Sequence, residues 1–519
     1  MRHRRWEVLG YVLLVAAALA VRLIGLSDRP FHHDESQDAY FSWLFWTNGD
    51  YEYQPILHGP LRFYLTALMY LVFGDSDFTA RLAPALMGTL MVPLPFLLRA
   101  QIGRLGAFAA ATALAFGPAY LYYGRFARED IYIACITLAL LAVTFRFLDR
   151  PRTYQPALIG VLLALSFATK ESTFITVFVA GTFFAVALAI QSARHGFLGA
   201  PIVRAVRLAG WEAWVWAVVA FAGVFTLMFT VFLTNPAGLW DGMHDGLAYW
   251  LEQHDVGGRG EKEWYFYIVV LLAEEWPAVL LGAIGAVATL RRPTLLRAFL
   301  IWDFVLSLAL YSYASERFSW LVLHPLLPLL LLAGFGVQTI WESRARWSGR
   351  IGLVVVAICV AYAGYTSWWA NADNGADPRE FLVTTQSSEA VKGVRDEVEA
   401  VAERARREGR DVSILVDSAE GATFPWAWYF RDLPVGYLDM TDAEELPPET
   451  DVAILTEGNR DRILDSLAGY DGRRFPFRVW WVREYDRMSP GAWWRWVADR
   501  ETWNPTGGMP EWIYVRQGA

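Results

Sequence analysis

The chain has 519 residues, of which 55% are apolar and only 19% are charged. That balance belongs to a polytopic membrane protein and excludes a string of soluble domains or a nucleic-acid-binding protein. The net charge of −8 is spread unevenly, and its order along the chain says more than its sum.

The N-terminus, MRHRRWE before VLGYVLLVAAALA, has the basic flank and small-residue ALA of a signal peptide. Arg22 directly follows the supposed cleavage site and many more apolar runs come after, so it reads as an uncleaved anchor. About eleven apolar runs of roughly 15–23 residues fit membrane spans. They are 7–26, 79–98, 103–122, 130–147, 156–169, 173–190, 211–233, 277–290, 298–313, 319–340 and 351–370. With the N-terminus inside, the inside loops hold Arg99 and Arg104; Arg146, Arg150 and Arg152; Arg194, Arg204 and Arg207; Arg291, Arg292 and Arg297; and Arg344, Arg346 and Arg350. Each is basic, as the positive-inside rule requires.

The outside loops are acidic. The first, 27–78, carries Asp28, Asp34, Glu35, Asp38, Asp50, Glu52, Asp75 and Asp77 against Arg29 and Arg62. Its stretch 60–73 is too apolar for a free loop and reads as a helix lying at the interface. The fourth, 234–263, adds Asp241, Asp245, Glu252, Asp255, Glu261 and Glu263. The run WYFYIVVLLA at 264–273 is either an interfacial helix or an extension of the next span. Beyond 370 the composition turns soluble: an amphipathic helix at 389–410, strands at 412–416 and 452–455, and a helix capped by Asn459 at 459–470. The cysteines, Cys135 and Cys359, both lie in apolar runs, so they build no disulfide framework.

The fold class is therefore mainly α and polytopic. A membrane domain spans 1–370, and a small α/β domain, 371–519, falls on the extracytoplasmic side. The protein is placed in the cell membrane with a cytoplasmic N-terminus.

Several clusters can carry chemistry. In HHDES, His33, Asp34 and Glu35 stand just beyond the first span. A carboxylate against apolar walls can act as a base or help hold a divalent cation, while the plain alternative is a wet loop with Asp34 or Ser36 capping a helix near Gln37. In GRFARED, Arg125, Arg128, Glu129 and Asp130 suit a cation and a phosphate together, or a surface ion-pair cluster. Glu274 and Glu275 sit in an apolar context, where ionisable groups are costly and often functional, unless they mark the membrane edge. Arg317 suits a lipid phosphate at the mouth of a groove or snorkels, and His324 lies deeper in the same run. DGMHDG at 241–246 is too isolated for a metal site. WWRW at 493–496 is a weak sugar-stacking candidate.

These residues resemble the GT-C superfamily of integral-membrane glycosyltransferases, which includes the dolichyl-phosphate-mannose protein mannosyltransferases. HHDES, HGPLRFYLTAL with His58, FGDSDFTARL with Arg81, and YYGRFARED carry the resemblance. ERFSWLVLHPLLPLLLLAG and FPWAWYFRDLPVGY resemble a prokaryotic subfamily called flippase activity-associated. The resemblance implies a polyprenyl-phosphate sugar donor, transfer of a hexose on the outer face to a glycan, lipid or protein acceptor, and a membrane-lipid environment. Asp34 is then the catalytic base, with Glu35 second. Arg125, Arg128, Arg317, His58 and Arg81 are candidates for the donor phosphate or sugar. Glu129 and Asp130, with Asp34, are candidates for a divalent cation, Mg or Mn. The adjacent Glu-Asp pair departs from the acid-x-acid motif of the oligosaccharyltransferase branch, which leaves the metal open. The alternative is a non-catalytic partner of a lipid-linked sugar flippase or glycan-assembly complex. Asp34→Asn separates the two.

Overall fold

A computed structural model describes residues 2–49, 51, 53–242, 244, 248, 262–373 and 375–518. Much of the acidic loop 234–263, including part of DGMHDG, lies outside the described residues. Among the described residues eight helices are long and apolar enough to cross a membrane, and two further helices, bent 100° to each other, pass the same test as a pair. These helices and the shorter apolar ones Arg104–Phe116 and Gln155–Phe167 account for all eleven expected ranges.

In chain order the elements used below are α1 (Arg2–Leu23), α2 (His33–Asn48), α3 (Leu61–Phe73), α4 (Asp77–Leu90), α5 (Arg104–Phe116), α6 (Asp130–Asp149) and α7 (Gln155–Phe167). Next come α8 (Thr173–His195), α9 (Trp211–Phe229), the bent pair α10 (Phe266–Glu274) and α11 (Trp276–Arg291), and α12 (Leu295–Tyr313). The last helices of the bundle are α13 (Leu323–Glu342) and α14 (Trp347–Trp368). The stretch 264–273 thus falls on the first arm of the bent pair.

Helix α13 forms the centre of the bundle. Its LLPLLLLAGFG run is apolar on every side and is buried on nearly all of them, as a central helix must be. Gly285 lets α11 pack backbone to backbone against it, since a Cβ there would meet the Leu332 carbonyl oxygen at 2.0 Å.

The long loop after α1 folds into two helices at one end of the bundle. Helix α3 coincides with the helix expected at 60–73, and α2 precedes it. Both the loop and the C-terminal domain pack into one core: Phe31, Ala39, Tyr70 and Ala80 join Trp426, Trp428 and Tyr429. Tyr70 stacks on Trp428 with ring centroids 5.9 Å apart. The two regions assigned to one side of the membrane therefore share a face. Asp75 and Asp77 do not cap the second span. Ser76 accepts the Thr79 N–H in that role, while Asp77 accepts from the Trp428 indole at 2.8 Å and Asp75 from Arg431 at 2.7 Å.

The C-terminal domain is a six-stranded sheet: β1 (Gln386–Ser387), β2 (Ile414–Asp417), β3 (Val435–Leu438), β4 (Val452–Thr456), β5 (Tyr470–Trp480) and β6 (Gly507–Arg516). The spatial order is β1-β5-β6-β4-β2-β3, with β3, β2 and β4 parallel and the other pairs antiparallel. Its helix α15 (Ala390–Arg407) buries Val391, Val394, Val398, Val401 and Ala405, the apolar stripe seen in the sequence. The helix expected at 459–470 is shorter and earlier, Glu457–Arg462. Asn459 does not cap it. Its amide instead donates to Asp417 at 2.8 Å, and β5 begins at Tyr470.

Candidate active site

Helix α2 starts four residues before Gln37, and neither Asp34 nor Ser36 caps it. His32 does: its Nδ1 accepts the Asp34 N–H at 3.0 Å, while the Glu35 carboxylate accepts the His32 N–H at 3.2 Å, closing a capping box. The box fixes the first turn, and consecutive side chains there point to different sides. Asp34 and Asp38, four residues apart and so on one face, both line a cavity of ≈ 560 Å³. Glu35 turns the other way and is fully buried.

The second wall comes from His58 and Arg62, at the start of α3. Gly59 presses this loop onto the segment between α7 and α8: a Cβ there would meet the Ala168 carbonyl oxygen at 2.2 Å. The Gly59 and Leu61 N–H groups donate to Thr169 and Ala168. His58 itself holds a left-handed backbone, φ 59°, of the kind that clusters at functional sites. Its Nδ1 stands 2.7 Å from Glu171 and its Nε2 3.4 Å from Glu129.

The third wall is the GRFARED loop, whose charges interlock with the other two. Arg128 contacts Asp34 through Nη1, Glu129 through Nη2 at 3.0 Å and Asp130 through Nε at 3.4 Å. Arg62 bridges Asp38 and Glu129, the latter at 2.7 Å. The Lys170 ammonium lies 2.8 Å from both Glu129 and Asp130. An aromatic wall completes the cavity: Trp320, with the Arg128 guanidinium 4.1 Å from its ring centre, and Phe318 stacked on it at 4.6 Å. The C-terminal domain adds Thr384, Thr385 and Arg478. Arg478 Nη2 reaches His33 Nδ1 at 2.9 Å and the Gly421 carbonyl at 2.6 Å.

This environment splits the carboxyls. Burial pushes Asp34 up, but Arg128 and the two histidines outweigh it and hold it at about 2. Burial and the neighbouring Glu129 charge push Asp38 well above the usual range despite Arg62. Glu129 is buried yet held well below that range by Arg128, Lys170, His58 and Arg62. Burial pushes the His32 imidazole down to about 4, so it is neutral at neutral pH.

The expected cation set does not fit a divalent metal. Both oxygens of Glu129 and both of Asp130 already face Lys170, Arg128 or Arg62, so ammonium and guanidinium charges occupy the positions a metal would take. Among the described residues, no group of three or more His, Cys, Asp or Glu side chains is placed to hold one.

A family model described as dolichyl-phosphate-mannose-protein mannosyltransferase matches residues 57–208, which include His58, Arg62, Arg128, Glu129, Asp130, Lys170 and Glu171. No curated protein sequence matches the chain. The ArnT structure from Cupriavidus metallidurans in the apo state is similar over 99% of this chain and 98% of that one, with a TM-score of 0.59 and 14% identity. An Archaeoglobus fulgidus oligosaccharyltransferase in the apo form aligns over 87% of this chain and 69% of that one, with a TM-score of 0.55 and 12% identity. The chain has the GT-C fold. The resemblance drawn from its loop motifs extends to the whole architecture.

Within this GT-C fold the other expected site residues stand apart from the cavity. Glu35 takes the Arg81 Nε and Nη2 at 2.9 Å each, Arg29 at 3.3 Å and the Ala127 N–H at 2.9 Å. Arg81 spends its remaining donors on the Leu26, Arg29 and Pro30 carbonyls. This fully buried pair is a strut between α2 and α4. Arg125 donates to the Val21 and Gly25 carbonyls at 2.7 and 2.9 Å and faces a different cavity. Arg317 binds the Ser312 and Lys262 carbonyls beside the cavity rather than lining it. His324 stacks on Tyr311 at 4.7 Å, next to a pocket of ≈ 20 Å³. Glu274 and Glu275 lie at the α10–α11 break, where they accept the Phe381 and Ala119 N–H groups at 3.0 Å. Of WWRW, Trp496 is fully buried against Phe381 and Trp494 is 68% exposed, and neither lines the cavity.

Lys170 and Glu171 were not anticipated, although a charged pair between two apolar runs on the acidic face was a signal. Asp38 stands out in the sequence as the third carboxylate beside Asp34 and Glu35, whereas Arg62 enters only through the loop's charge count. Nothing in the sequence pointed to Arg478.

Proposed function

We propose that this chain is a membrane glycosyltransferase that moves a sugar from a polyprenyl-phosphate donor to an acceptor hydroxyl, at the membrane face carrying both acidic loops and the C-terminal domain. On this reading that face is extracytoplasmic. The observation that carries it is Asp34: a quarter-exposed carboxylate at the rim of the cavity, ionised and backed by Arg128, beside an aromatic wall of sugar size. Solved structures of ArnT bound to undecaprenyl phosphate and of AglB in complex with a dolichol-phosphate support a polyprenyl-phosphate donor for a fold of this type.

A glycosyl phosphate carries its own leaving group. The protein must align the acceptor oxygen, take its proton and stabilise the departing phosphate. Arg128, Arg62 and Arg478 face the cavity and supply the positive charge, with His58 beside them. A donor phosphate competes with Asp34 for Arg128. Once Arg128 turns to the phosphate, Asp34 loses the charge that depresses it and becomes a stronger base while the donor is in place. Phe318 and Trp320 offer the sugar a stacking surface. No metal takes part in this scheme.

The test uses the full chain in nanodiscs with undecaprenyl-phosphate mannose and undecaprenyl-phosphate glucose carrying a labelled sugar. Release or transfer of the label is expected for at least one donor, and Asp34→Asn should lower it by ~10²–10⁴-fold at unchanged expression. Full activity in Asp34→Asn would overturn the assignment of the base. Asp38→Asn as the only inactive variant would pass that role to Asp38. Wild type that turns over neither donor would favour a binding subunit.

A further inference from the structure

A second cavity, of ≈ 640 Å³, opens where the end of α1 meets the last turns of α14, and it shares no lining residue with the Asp34 cavity. One wall is charged: Arg29, Arg125, Asp28 and Glu389. The other is apolar, and its lining residues Ile24 and Trp368 are 72% and 62% exposed, so the cavity reaches the outer surface of the bundle. The Arg29 Nε and the Asn371 Oδ1, both on lining residues, are buried without a hydrogen-bond partner.

Phe116 and Gly364 also line a further cavity of ≈ 380 Å³ that runs between α5, α11, α13 and α14 as far as Leu105 and Val337. Its lining is apolar except for Thr112 and Glu275. From Phe116 to Leu105 the path follows α5 for about 17 Å at 1.5 Å per residue. On one side of Phe116 and Gly364 the lining is charged, and on the other it is apolar.

We propose that this groove binds a zwitterionic glycerophospholipid. The phosphate sits between Arg29 and Arg125, where guanidinium groups suit it. The ammonium faces Asp28 and Glu389, and one acyl chain follows the apolar cavity along α5. Two cations and two anions around one head match a head that carries both signs. A purely anionic polyprenyl phosphate would meet Asp28 and Glu389 as like charges and offer them no ammonium. The site is a permanent lipid seat on the far side of the Glu35–Arg81 strut, separate from the donor cavity, and it does not rest on the transfer reaction.

Native mass spectrometry of the full chain, released from nanodiscs of phosphatidylethanolamine and phosphatidylglycerol, tests it. Wild type should keep one phosphatidylethanolamine through mild delipidation. Gly364→Leu fills the groove, since a Cβ at 364 meets nothing within 4 Å. That variant and Arg125→Gln should each reduce retention at least tenfold. Gly181→Leu, equally unobstructed but on α8 and outside the groove, should keep the lipid. Undiminished retention in Gly364→Leu or Arg125→Gln, equal retention of phosphatidylglycerol, or displacement of the bound lipid by added undecaprenyl phosphate would each overturn the proposal. None of these outcomes bears on Asp34, whose test is transfer.

Discussion

Arg128 meets Asp34 across 94 residues of sequence, and the same guanidinium also holds Glu129 and Asp130. One side chain thereby sets the charge state of the candidate base and fixes the second acidic loop against the first. The pairing makes basicity conditional on what else binds Arg128.

That condition is measurable in the pH profile. In the free protein Asp34 is held at about 2. A depressed carboxyl is ionised across the working range, and its contribution to stability is lost only as pH falls from the ordinary carboxylate value through 2. The acidic limb of kcat/KM, which reports the free enzyme, should therefore lie below pH 4. The limb of kcat, which reports the donor complex, should lie higher because the phosphate draws Arg128 away. Arg128→Lys keeps the charge but loses the fork, and should raise the kcat/KM limb. Coincident limbs in wild type would argue against competition for Arg128.

Glu35 and Arg81 make a different kind of pair. Both are fully buried and joined by two hydrogen bonds of 2.9 Å. Removing one partner strands the other, so Glu35→Gln and Arg81→Met should each destabilise by about 3–5 kcal/mol. The double variant should recover much of that loss. Thermal unfolding in detergent reads the effect. Activity per folded molecule should fall far less than in Asp34→Asn.

The contrast between Asp34 and Glu35 shows what the sequence could carry. The apolar runs and basic loops placed nearly every helix, because length and charge decide a span locally. The two acids were equally visible as neighbours in HHDES. Which one faces the cavity depends on His32 closing a capping box and on Arg81 arriving from another helix, and neither is a local property. Lys170 stands where a metal was expected for the same reason: its contacts with Glu129 and Asp130 exist only after α7 and α8 fold against α6. Arg478 comes from the far end of the chain, where no loop motif marks it.

Arg478 brings the C-terminal domain to the wall of the candidate site. Its Nη2 is committed to His33 and two carbonyls, while its buried Nε has no partner. A charged donor of this kind is worth about 1.5–3 kcal/mol to an anionic group. Arg478→Gln should then raise the KM for the polyprenyl-phosphate sugar roughly 10- to 100-fold, with a smaller change in kcat. A loss confined to kcat would assign Arg478 to positioning His33 instead.

The domain is also tied down by a buried acid cluster at the α10–α11 break. Arg500 donates its Nε to Glu380 at 2.7 Å, its Nη2 lies 3.9 Å from Glu274, and Arg483 donates to the Glu380 carbonyl at 2.9 Å. Burial and the Glu274 charge push Glu380 up to about 8, although Arg500 opposes them. For a raised carboxyl the favourable folded-state contribution is complete below its unfolded value, near 4.5, and is lost as pH climbs to 8. Docking of residues 490–503 should therefore be tightest near pH 5 and weaken toward pH 8.5. Glu380→Gln stays neutral throughout and should flatten the dependence, leaving the variant more stable than wild type at pH 8.5. Melting temperatures across that range, with limited proteolysis between Asp373 and Gln386 as a measure of undocking, give the reading. A wild-type curve as flat as that of Glu380→Gln would show that Arg500 neutralises the cluster without help from a proton.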